Sequence, residues 1–227
     1  MVLLPSCKPP CDSPGPLSCQ LLTSSAIIQH IRYICSTGSG HIAFFFFDFK
    51  DTHKQDPHAL LSSLIVQLNN QSNSQSFHDI LLSLHSMHQG GTQQPSIRAL
   101  TQCLENMLWV AGDVLIYLIV DTLDKCPNIA GIPLSHDQVL DVVEKLVKLN
   151  IPNLHLCITS HPKVDICASI EPLTSTTNWV SLHDKRGQKD DIIEFVSTVV
   201  QSDMKMQRWD EDRKLVIEML SERAGGM

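Results

Sequence analysis

Residues 114–121 read VLIYLIVD, an unbroken apolar run that ends in a carboxylate. A run this short, rich in β-branched residues and free of charge until its last position, predicts a strand buried on both faces. Two other stretches share the character: IAFFFFDF at 42–49, bounded by Gly40 and by DTHKQD, and LHLCITS at 154–160. A weaker strand is expected near Asn178 to Leu182. Between these runs the apolar spacing turns helical. Ile27, Ile28, Ile31 and Ile34 form one stripe, expected to begin at Thr23 with Thr23, Ser24 or Ser25 as its cap and to end at Gly38 and Gly40. Leu60, Leu61, Leu64, Ile65 and Leu68 follow Pro57, a suitable first-turn residue. Further stripes run through Ile80, Leu81, Leu84 and Met87, and through Leu100, Leu104, Met107 and Leu108. Another comprises Val139, Val142, Val143, Leu146 and Val147, which Asn150 and Pro152 stop. Two last helices are expected on Ile192, Ile193, Val196 and Val200, and on Leu215, Val216, Met219 and Leu220. Apolar strands alternating with helices predict a three-layer α/β architecture: a parallel sheet with helices on both faces, followed by C-terminal helices.

Composition narrows the function. The chain has 227 residues, 43% hydrophobic and 18% charged, enough to build a core. Seventeen Lys and Arg against 24 Asp and Glu give a net charge of −7, which argues against a nucleic-acid partner. No apolar run approaches the roughly 20 residues that span a bilayer, and the N-terminus lacks signal-peptide character. The expectation is an intracellular, cytoplasmic chain with no membrane segment. The eight cysteines include no CxxC pair, so neither a zinc ribbon nor a thioredoxin-type site is indicated; they read as reduced, small hydrophobes. His78, His85 and His88 lie at helical spacing but no Cys or carboxylate completes a metal set, and they read as a solvated helix face. Phe44 to Phe47 read as core strand ahead of a ligand-stacking platform.

In open parallel sheets ligands collect at the carboxyl ends of the strands. The residues expected there are Asp48, Asp51, Asp121, Asp124, Ser160 and His161. YLIVDTLDKC, residues 117–126, is the strongest signal: four apolar residues deliver Asp121 to a strand end and Asp124 follows three later. A carboxylate fixed there can hold magnesium beside a nucleotide phosphate, and it can equally serve to solvate the strand end. From the pattern alone both readings stand.

LIVDTLDKCP resembles the Walker B segment of fungal NACHT-type proteins, usually LIVDALDECP. The resemblance extends along about residues 20–227. SSAIIQHI (24–31) looks like the helix after the P-loop, and AFFFFDFKDTHKQ like the second strand and its loop. NLHLCITSHP (153–162) looks like the sensor strand, and LSERAGGM like the start of a further helix. The resemblance implies a P-loop nucleoside-triphosphatase switch of the STAND type, with ATP or GTP and magnesium held by Asp121 and Asp124 and approached by Ser160 and His161. It also implies protein partners or self-association, and a link to fungal non-self recognition and cell death.

The sequence departs from that pattern at three places. No GK[ST] occurs, although glycines and Lys are what let a P-loop cradle phosphates. VLLPSCKPPCDS looks like an eroded first strand and P-loop, with Val2 to Leu4 as the strand remnant, Cys7 and Pro10 at glycine positions and Asp12 in place of the GK pair. The alternative is an unrelated N-terminal segment. Lys125 replaces a Glu suited to polarising water, and His161 replaces an Arg that offers charge to a terminal phosphate. The expected organisation is an irregular Pro/Cys-rich segment at 1–22, a NACHT-like α/β domain at 23–183, and the start of a truncated helical region at 184–227. The expected function is a degenerate NACHT-type regulatory or interaction module with weak or no nucleotide binding. The alternatives are a nucleotide-binding switch that hydrolyses slowly, and a gene fragment with no biochemical role.

Overall fold

The computed structural model describes residues 17–72, 74–127, 135–161, 163–174, 178, 193–194, 196–198, 200 and 213–224. They fall into two units, one within residues 18–180 and one holding the C-terminal helices. The first contains α1 (Leu17–Ile34), β1 (Gly40–Phe46), α2 (Pro57–Gln71), α3 (Gln75–Met87), α4 (Ile97–Val110), β2 (Leu115–Asp121), α5 (Ser135–Lys148), β3 (Leu154–Ile158) and α6 (Val164–Ile170). In the second, the described residues between 193 and 200 are helical and α7 spans Arg213–Ala224.

The three strands form one parallel sheet in the order β1-β2-β3, with Ala43 opposite Leu118 and Leu118 opposite Leu156. Alternation along each strand sorts its side chains between two apolar layers. Ala43, Phe45, Phe47, Leu118, Val120 and Ile158 face a large core built with α2, α4 and α5. Ile42, Phe44, Phe46, Ile119 and Cys157 face Ile27, Ile28 and Ile31 of α1. Helices therefore cover both faces, and the three-layer α/β expectation holds for this unit. The phenylalanine run is core: Phe45 and Phe47 are buried, and the pairs Phe44–Phe46 and Phe45–Phe47 meet edge to face.

Local chemistry explains where the elements start. Asp56 caps α2 by accepting the Ala59 N–H at 2.8 Å, with Pro57 in the first turn, and Ser96 caps α4 through Ala99. Gly38 adopts φ +80° after α1, a conformation that favours glycine, and the chain then turns into β1. At Gly40 a Cβ would sit 2.8 Å from the Leu115 carbonyl, so β1 and β2 start their pairing at a position open only to glycine. His136, buried at the start of α5, places Nε2 3.1 Å from Asp165 on α6.

Two expectations are corrected. α1 starts at Leu17, six residues before Thr23, because the prolines that forbid helix end at Pro16 and LSCQLL beyond them is helix-compatible. Ser24 is therefore inside the helix rather than its cap. Cys35, Cys103, Cys126 and Cys157 are free, but Cys167 on α6 is disulfide-bonded, so the cysteines are not all reduced. The eroded P-loop segment lies outside the described residues, as does all of the weak strand at 178–182 except Asn178. Among the described residues no helix is long and apolar enough to cross a membrane.

Candidate functional site

β2 delivers Asp121 to its carboxyl end, where the residue is fully buried. The Ser24 hydroxyl on α1 and the Thr159 hydroxyl just beyond β3 both donate to its Oδ1. Its Oδ2 is buried with no partner among the described residues. Burial pushes the Asp121 carboxyl above its ordinary value, and the nearby charge of Asp124 adds to the rise. The bonds from Ser24, Thr159 and the Thr122 backbone oppose it.

Thr122 follows in the left-handed region, at φ 53° and ψ 46°. A β-branched residue there is strained by about 1–3 kcal/mol, so its surroundings must hold it. Its N–H donates to the Thr159 hydroxyl at 3.0 Å, and its own hydroxyl donates to the carbonyls of Phe47 and Asp121 at 2.8 Å. The reversal starts a single 3-10 turn, Leu123–Lys125, which turns Asp124 back toward the end of β3.

Asp124 is also buried, and its polar atoms are taken. Oδ1 accepts the His161 N–H at 3.0 Å, Oδ2 stands 3.1 Å from Lys125 Nζ, and its carbonyl accepts Lys163 Nζ at 2.6 Å. Ser160, equally buried, donates its hydroxyl to the His161 carbonyl at 2.8 Å. The structure thus gathers Asp121, Asp124, Ser160 and His161 at the ends of β2 and β3, joined through Thr159 and the turn. It does not engage Asp48 and Asp51 in this network. Asp48 accepts the Lys50 N–H and Asp51 accepts the His53 N–H and pairs with Lys54, all within their own loop.

Sequence reasoning missed Thr159, Lys163 and the true place of Ser24. Thr159 is the hub of the network, and the only signal for it was its position one residue before Ser160 at a strand end. The neighbouring thiols are held un-ionised. Burial pushes Cys157 up to about 11, with the Asp121 charge adding, and Cys126 up to about 12, with the Asp56 charge adding. His78 and His85 are exposed on α3, and His88 Nδ1 bonds the Leu84 carbonyl at 2.8 Å.

No curated protein matches the chain. A chain from the structure of Drosophila ORC bound to AT-rich DNA and Cdc6 is similar over 91% of this chain and 82% of its own. That match has 14% identity and a TM-score of 0.27, too remote to support an argument. The family model described as nephrocystin 3, N-terminal, matches residues 20–161, from α1 to the end of the site at His161. Matched over more than half its length, the chain belongs to this NACHT-like nephrocystin 3 N-terminal family.

Proposed function

We propose that the chain is a degenerate NACHT-type signalling module: a cytoplasmic regulatory or interaction piece of a fungal non-self-recognition or cell-death type protein, acting through protein partners or self-association, that binds ATP or GTP weakly or not at all. The observation that carries this reading is that the strand-end carboxylates are buried and, apart from Asp121 Oδ2, engaged by groups of the protein itself. Asp121 is fully buried under the Ser24 and Thr159 hydroxyls, and Asp124 is occupied by Lys125 and the His161 N–H.

Magnesium requires several oxygen ligands and keeps waters of its own. A fully buried carboxyl leaves no room for those waters, and the Lys125 ammonium repels a cation at Asp124. The residues therefore do not fit a magnesium ion. The lack of GK[ST] points the same way, since nothing in the sequence supplies the Lys and glycines that hold phosphates.

One observation favours a second reading, a nucleotide-binding switch that hydrolyses slowly. Asp121 Oδ2 has no partner, and an incoming ligand would supply one. Sedimentation velocity of the chain with and without ATP, GTP and magnesium separates the two. The interaction module keeps one mass distribution throughout; a distribution that shifts with nucleotide overturns it in favour of the switch.

A further inference from the structure

β1 is an edge strand: it pairs with β2 on one side, and among the described residues no strand pairs with the other. Its sequence makes that edge a hazard. IAFFFF, residues 42–47, is uncharged, aromatic and free of proline, the character of segments that stack strand on strand. A cleft of about 500 Å³, bordered by His41, Ile42, Phe44, Gln67 and Gln71, opens along it.

Two side chains of α2 occupy the edge instead. The Ile42 N–H donates to Gln71 Oε1 at 3.0 Å, and Gln71 Nε2 donates back to the Ile42 carbonyl at 2.5 Å. One repeat along, the Phe44 N–H donates to Gln67 Oε1 at 3.2 Å, and Gln67 Nε2 returns to the Phe44 carbonyl at 2.7 Å. Each carboxamide offers the same acceptor and donor that a neighbouring peptide would. The spacings agree: two strand residues advance about 6.6 Å and four helix residues about 6 Å, so glutamines one helical turn apart meet alternate residues of the strand. Both amides are further steadied on α2, Gln67 by Ser63 Oγ at 2.9 Å and Gln71 by the Gln67 carbonyl at 3.0 Å.

We propose that Gln67 and Gln71 form a side-chain ladder that seals the free edge of β1 against the same strand of a second copy of this chain. The ladder occupies the N–H and C=O groups of Ile42 and Phe44, at the centre of the edge that a docking strand would use, and it does so without adding a strand. This inference is independent of whether the chain binds nucleotide.

The test is the full chain carrying Gln67→Met and Gln71→Met together. Met keeps the length and helix preference of Gln but has no amide. The double variant is expected to retain the α/β circular dichroism of the unaltered chain. It is also expected to associate with rising concentration in sedimentation velocity and to exchange the Ile42 and Phe44 amides about tenfold faster. A double variant that is folded and associates no more than the unaltered chain overturns the proposal. Should the variant fail to fold, hydrogen exchange on the unaltered chain decides. Ile42 and Phe44 amides protected like those of Ala43 and Phe45, which face β2, support the ladder; exchange at the rate of an open edge overturns it.

Discussion

Asp124 and Lys125 are neighbours in the sequence, and their side chains face each other: Nζ stands 3.1 Å from Oδ2, with the carboxylate almost completely buried and the lysine largely so. The 3-10 turn that follows the strained Thr122 allows this contact. A carboxylate so placed spends its charge inside the protein. Asp124→Asn keeps an oxygen for the His161 N–H but leaves the ammonium without its partner. The expected cost is about 1–3 kcal/mol, read as a lower urea midpoint at unchanged slope. A midpoint equal to that of the unaltered chain would remove the ion pair from the account.

The Asp121 carboxyl makes a prediction with a definite pH window. Its folded value is raised above 3.8, burial being the largest cause. A raised value means that the folded state holds the proton more tightly than the unfolded chain. The resulting stability is complete below about 3.8 and is lost as pH rises through the folded value. Asp121→Asn removes that loss while its amide oxygen still accepts from Ser24 and Thr159. Thermal melts across pH should therefore show the variant at least as stable as the unaltered chain at neutral pH, with the advantage vanishing below about pH 3.8. A variant markedly less stable at pH 7 would mean that the ionised carboxylate is itself required.

Thr159 joins the network through one hydroxyl, which donates to Asp121 and accepts from the Thr122 N–H. Thr159→Val keeps the shape and strands both partners. The expected loss is about 1–3 kcal/mol, and Thr159→Ser should recover most of it. Equal denaturation midpoints for the Val and Ser variants would show that the hydroxyl is not the hub.

The sheet was largely legible in the sequence because three uncharged runs cannot be anything but buried, and Asp121 was legible because it ends one of them. What the sequence hid lies in hydroxyl and amide groups. Ser24, Thr159, Gln67 and Gln71 belong to residue types too common to single out, and their roles depend on partners that are distant in the chain. The start of α1 was obscured differently. Prolines up to Pro16 colour the whole N-terminal stretch, yet the helix needs only the residues after them, and it begins at Leu17. Lys125 is legible as a departure from the family's Glu, but its contact with Asp124 needs the left-handed turn at Thr122, which no propensity of threonine announces.

The proposed function rests on strand-end carboxylates that are buried and largely engaged by the protein's own groups, and equilibrium binding of a fluorescent ATP analogue addresses that directly. The titration is run on the folded chain with and without magnesium, and on Asp121→Ala alongside. The account predicts no saturable binding below the millimolar range, no effect of magnesium, and no difference between the two chains. Saturable micromolar binding that needs magnesium and is lost in Asp121→Ala would contradict it and make the site a working nucleotide switch.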